Sequence, residues 1–161
     1  MKRNILFFLS LAFVALIAIS CDLNSVISPS VRTSTVLYRT SLEGVKDTIT
    51  FADSLNVGDT VRMGMICEGY YDYLCKLKVS GDTSKVKTSL AWPDSLSYAL
   101  ASDADPAHGV LSFVPEKAYG IYTTLTYIPV ASGTHEISIL LTSSARESYN
   151  QYAGSFFIAV K

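Results

Sequence analysis

Two patterns of apolar residues divide the chain. Across residues 5–19 every position but Ser10 is apolar, a block with no alternation. From about residue 34 the apolar positions instead recur every second residue in short runs, the mark of half-buried β-strands. Val61, Met63, Met65 and Cys67 alternate with Arg62, Gly64 and Ile66, so the first set shares one strand face. Tyr73, Cys75, Leu77 and Val79 repeat the pattern against Lys76 and Lys78, as do Val86, Thr88, Leu90 and Trp92 against Lys85, Lys87 and Ser89. Further strands are predicted over 34–39, 48–51, 110–114, 122–128, 136–141 and 156–160, about nine in all. Turn residues such as Val57-Gly58-Asp59, Ser80-Gly81-Asp82, Asp105-Pro106 and Ser132-Gly133 separate them. Leu96, Ala99 and Leu100 follow Asp94 at helical spacing, which predicts one short helix within 95–102. No stretch carries enough 3.6-residue period for a βαβ crossover. Short strands at this spacing predict an all-β, antiparallel sandwich of about seven to nine strands.

Composition sharpens this picture once the leading block is set apart. The 161 residues include 13 basic and 14 acidic side chains, and 49% are hydrophobic. Without residues 1–20 the remaining 141 carry 11 basic and 14 acidic groups, a net charge of −3. That balance excludes a strongly basic nucleic-acid binder, a disordered polyelectrolyte and a multi-pass membrane protein. A chain of this size makes one domain that buries roughly two thirds of its unfolded surface.

Lys2 and Arg3 precede the apolar block, which is shorter than the about 20 residues a spanning helix needs. Ala18-Ile19-Ser20-Cys21 follows. Small residues just before a lone Cys resemble the lipobox of bacterial lipoproteins, with Ala18 standing where Leu is usual. The resemblance implies type II signal-peptidase cleavage before Cys21, a diacylglycerol on its thiol and a further acyl chain, palmitate or similar, on the new amino group. Two or more acyl chains anchor a protein stably where one holds it marginally. The expected organisation is a signal peptide over 1–20, lipidated Cys21 with a tether over 21–33, and the sandwich over 34–161. Residues 22–30 lack periodicity, and nine flexible residues reach about 15–20 Å. Asp22 resembles the inner-membrane retention signal of some Gram-negative lipoproteins. The expected address is the cell envelope, with the outer membrane or cell surface favoured over the inner membrane.

A second resemblance concerns the sandwich. Leu55-Asn56-Val57-Gly58-Asp59-Thr60-Val61 resembles the early edge of Ig-like modules on bacterial surfaces. Leu125-Thr126-Tyr127-Ile128-Pro129, with Gly133-Thr134-His135-Glu136-Ile137, resembles a late hairpin of such modules. It implies an Ig-like fold over about residues 48–161 and no activity. The antibody-type Cys…Trp…Cys spacing is absent, since Trp92 follows both Cys67 and Cys75.

Candidate chemistry is sparse. Cys67 and Cys75 would face each other if their strands formed one hairpin, and an exported chain meets a disulfide-permissive compartment. If the strands belong to different sheets, the two are reduced core cysteines. Neither His108 nor His135 neighbours a nucleophile motif, and neither has the spacing of a metal set. Asp103 and Asp105 read as solvated turn carboxylates rather than calcium ligands. Gly69-Tyr70-Tyr71-Asp72-Tyr73 is the most distinctive surface segment, because three tyrosines at a hairpin tip cannot all turn inward. Tyr149 and Tyr152 form a second pair. The leading expectation is a non-catalytic, membrane-anchored lipoprotein whose sandwich binds a partner protein. The alternative is a carbohydrate-binding lipoprotein using Tyr70, Tyr71 and Tyr73. A third reading is a hydrolase with a carboxylate pair formed only by folding. No metal, cofactor or nucleic acid is expected.

Overall fold

The computed structural model describes residues 27–161, so the leading apolar block and Cys21 lie outside the described residues. Ten strands follow one another: β1 (Ser30–Thr33), β2 (Leu37–Thr40), β3 (Lys46–Ile49), β4 (Thr60–Glu68), β5 (Leu74–Gly81), β6 (Val86–Leu90), β7 (Val110–Ser112), β8 (Gly120–Pro129), β9 (Gly133–Ser143) and β10 (Gln151–Val160). The expected short helix is a single 3-10 segment over Asp94–Ala99.

The strands form two antiparallel sheets. One has the order β3-β2-β4-β8-β6, with β1 also on β4; the other runs β10-β9-β5-β7. β1 takes positions Met65 to Glu68 of β4, and β2 takes Thr60 to Arg62. The two short strands therefore share one edge of β4 in tandem. Between them the Ser34 N–H donates to the Gly64 carbonyl at 2.9 Å. Reduced to β1-β4-β8-β6 facing β10-β9-β5, the strand order is that of an Ig constant-type sandwich. The β2–β3 hairpin and β7 are additions to it.

The period-two pattern explains the core. Val61, Met63, Met65 and Cys67 of β4 are fully buried, facing Leu77 and Val79 of β5 and Ile137 and Leu141 of β9. Leu125 and Tyr127 of β8 close the layer. Each such side chain contributes about 1.5–3 kcal/mol when fully buried.

Three differences from the sequence pattern have physical causes. First, the sandwich starts at Ser30, inside the stretch expected to be tether, because Val31 is enough to seat β1 opposite Cys67. Second, β4 and β5 do not pair; the five residues between them arch from one sheet to the other. Third, β5 carries a bulge against β9 between Leu74 and Lys76, with Leu74 opposite Ser143 and Lys76 opposite Thr142. The extra residue, Cys75, breaks the alternation, so Leu74 is buried in place of Tyr73 and Cys75 is only half-buried.

The two ends of the sandwich differ. One end gathers Ser30, the β4–β5 arch, residues 113–119 and the β9–β10 turn, since Ser30 and Gly120 both pair with Glu68 and Leu74 pairs with Ser143. The other holds the β2–β3 hairpin, residues 56–59 and Lys161. There Leu55 forms a parallel bridge to β10: its N–H donates to the Ala159 carbonyl at 2.9 Å, and the Lys161 N–H donates back at 2.8 Å.

Candidate functional site

The arch between β4 and β5 is tightly specified. A Cβ on Gly69 would sit 2.2 Å from the Asp72 carbonyl oxygen, so glycine is required for the turn. Tyr70 follows at φ +58°, an uncommon conformation for a bulky residue. Neighbouring loops hold the arch from both sides. Gly69 N–H donates to Tyr119 O at 2.8 Å, Leu74 N–H to Ala118 O at 2.6 Å, and Tyr73 N–H to Ser144 Oγ at 3.1 Å.

This backbone sorts the three predicted tyrosines. The Tyr70 hydroxyl donates to Ser30 Oγ at 3.2 Å. Tyr71 points into solvent, 81% exposed. Tyr73 packs edge-to-face on Tyr119, with ring centroids 6.5 Å apart. Asp72 lies buried between them, and its Oδ2 has no hydrogen-bond partner among the described residues. Tyr149 and Ile27 are exposed at the same end, whereas Tyr152 turns toward the core. Tyr119 escaped the sequence reading because it lies 48 positions from Tyr71, and only the β4–β8 pairing brings it in.

A second feature was also not foreseen. On the outer face of the four-stranded sheet, Ser80, Ser138 and Ser155 stand in register across β5, β9 and β10. They floor a hollow of about 480 Å³ bordered by Lys78, Leu140 and Ala153. It continues into a hollow of about 370 Å³ bordered by Asp82, Lys85, Glu136 and Phe157. Phe157 is 61% exposed. Asp82 is held below the usual carboxylate range by the Ser84 hydroxyl and N–H, with Lys85 adding to this. The polar half of each strand's alternation was the available signal, but pairing alone makes it a trough.

The remaining sequence candidates fall as follows. Cys67 and Cys75 do not oppose one another: β4 and β5 lie in different sheets, and both thiols are free. Facing sheets stand about 10 Å apart, wider than the 4.4–6.8 Å between Cα atoms that a disulfide spans. Burial pushes the Cys67 thiol up to about 12. Burial also raises Cys75. His108 Nδ1 lies 2.7 Å from Asp105 Oδ2 on an exposed turn. Asp103 accepts from Lys76 Nζ at 3.2 Å and Ser112 Oγ at 3.0 Å. Those two bonds, Lys76 first, hold its carboxyl below the usual range. His135 is 2% exposed, with its Nε2 3.4 Å from the Ser132 carbonyl. No group of three or more His, Cys, Asp or Glu side chains among the described residues is placed to hold a metal ion.

No protein-family model matches the chain, and no curated protein matches it. Among solved structures, a family 123 glycoside hydrolase from Clostridium perfringens aligns with a TM-score of 0.41 and 12% identity, covering 83% of this chain and 27% of that one. The chain therefore spans about a quarter of that enzyme's length, and the likeness carries no argument about activity.

Proposed function

We propose that this chain is a lipid-anchored protein of the bacterial envelope or cell surface, and that its Ig-like sandwich binds a partner protein without catalysing a reaction. The observation that carries the reading is the trough on the outer face of the four-stranded sheet. Its floor is hydroxyl-lined, its wall offers exposed Phe157 and Leu140, and Lys78, Lys85 and Glu136 supply charge at the rim. Exposed aromatic anchors bordered by polar groups are what protein interfaces use. Anchoring at Cys21 is supported by the residues around it.

The test uses the full lipidated chain as bait in solubilised envelopes, beside Ser138→Trp, which fills the trough from an exposed position. A partner retained by the natural chain and lost by Ser138→Trp is expected. Retention of nothing beyond what an unrelated acylated protein retains sinks the proposal.

A second reading, glycan binding at the arch, is favoured by the outward Tyr71 ring, since sugar rings stack on such faces. Glycan-array binding abolished by Tyr71→Ala with Tyr73→Ala supports it; unchanged binding rejects the arch.

A further inference from the structure

Five large apolar side chains are exposed at one end of the sandwich: Ile27, Tyr70, Tyr71, Tyr119 and Tyr149. They come from three separate loops and the incoming chain. That end is also where the chain enters the fold, because the Tyr70 hydroxyl bonds to Ser30 at the first residue of β1. Whatever path it takes, the segment from Cys21 to Ile27 spans at most about 20 Å, six residues at about 3.3–3.6 Å each. Ile27, where the chain enters the tyrosine end, is therefore confined within that distance of any lipid carried on Cys21. The opposite end, with Leu42 at the tip of the β2–β3 hairpin, lies the length of β4 farther off, about 30 Å.

We propose that the tyrosine end seats in the membrane interface and fixes the domain upright on the bilayer. The inference rests on the lipid-anchored reading above. Tyrosine suits this place: its ring partitions into the boundary between headgroups and acyl chains while its hydroxyl stays hydrated. Tyr71 and Tyr149 project from turns closed by backbone hydrogen bonds, Asp72 N–H to Gly69 O at 3.0 Å and Tyr149 N–H to Arg146 O at 2.7 Å. Charge at this end alternates, with Glu116 beside Lys117 and Arg146 beside Glu147, and Arg32 paired to Glu68 at 2.7 Å. The contact is therefore with the interface itself and not with anionic headgroups. It leaves the trough on the four-stranded sheet facing sideways, open to a partner.

The experiment uses the full lipidated chain in phosphatidylcholine vesicles whose acyl chains carry bromine near the headgroup. Trp92, the single natural tryptophan, gives the baseline emission. Tyr71→Trp and Tyr149→Trp are each expected to lose roughly half of their added emission, as groups buried about 5–10 Å into the interface do. Leu42→Trp, at a site 79% exposed at the far end, is expected to keep nearly all of it. Replacing a third of the lipid with phosphatidylglycerol is expected to change neither result. Equal quenching at Tyr71→Trp and Leu42→Trp, with Cys21 shown by mass spectrometry to be acylated, overturns the orientation and leaves the anchor standing. It also returns the arch to the glycan reading. An unacylated Cys21, with Cys21→Ser floating with vesicles as the natural chain does, overturns both.

Discussion

Gly109 closes the 3-10 turn Pro106–His108 at φ +77°, and a Cβ there would sit 2.3 Å from the Val79 carbonyl oxygen. Gly44 has a similar φ of +85° but open space around it. The pair separates two costs of adding a methyl group. Gly44→Ala meets only the left-handed penalty, about 1 kcal/mol. Gly109→Ala must also move backbone, and a loss of about 2–4 kcal/mol is expected from urea unfolding. Equal losses would show that β5 and the turn yield freely. The thiols offer a second contrast at this scale. Iodoacetamide at pH 8 is expected to label half-buried Cys75 well before Cys67, with both reacting after unfolding, since only the thiolate attacks and burial suppresses it. Faster labelling of Cys67 would contradict its place in the core.

At the scale of elements, alternation along 61–67 and 86–92 assigned faces correctly because one side of each strand meets the core and the other meets water. Pairing was less legible. The five-residue arch after Glu68 suits a hairpin or a crossing between sheets equally well, and nothing local to it distinguishes the two. The bulge at Cys75 left no trace either, because Tyr73 and Leu74 are both apolar enough to face inward. β1 escaped notice because Val31 alone among its four residues packs on the core. The tyrosine arch was visible as a segment, but its partners Tyr119 and Ser30 reach it only through folding. The ladder also sets local strength. Met63→Ala in the centre of β4 is expected to cost about 2–5 kcal/mol. β10 carries a different liability: Gln151–Val160 contains no charge and no proline, and its outer edge is covered only where Leu55 bonds to it, among the described residues. Gln151→Lys with Ala159→Lys, both at exposed positions, is expected to reduce self-association seen by light scattering while shifting stability by less than about 0.5 kcal/mol per site. Unchanged scattering would mean that this edge does not template association.

For the whole molecule, the titrating groups set a window of stability. Asp47, Asp53, Asp82 and Asp103 are held below the usual carboxylate range by Arg39, the Thr50 N–H, Ser84 and Lys76 respectively. Lowered folded values mean that their contribution is present above the unfolded value of about 3.9 and is lost as pH falls through the folded ones. Cys67 works in the other direction. Its contribution is complete below the unfolded thiol value of about 8.5 and is lost as pH rises from there toward about 12. Urea midpoints are expected to be level from about pH 5 to 8 and to fall on either side, shallowly in acid because the four carboxylates are exposed. A midpoint still rising at pH 10 would contradict the buried thiol.

The placement of Ser30 and Lys161 at opposite ends of the strands has a mechanical consequence. Tension applied between Ser30 and Lys161 runs along the strand axes. It pulls β1 lengthwise against β4, and β10 lengthwise against both β9 and Leu55. Bonds loaded in shear must yield together, whereas bonds peeled from one end yield singly. The strand order that gives the sandwich its core thus also makes it stiff along the line from Ser30 to Lys161.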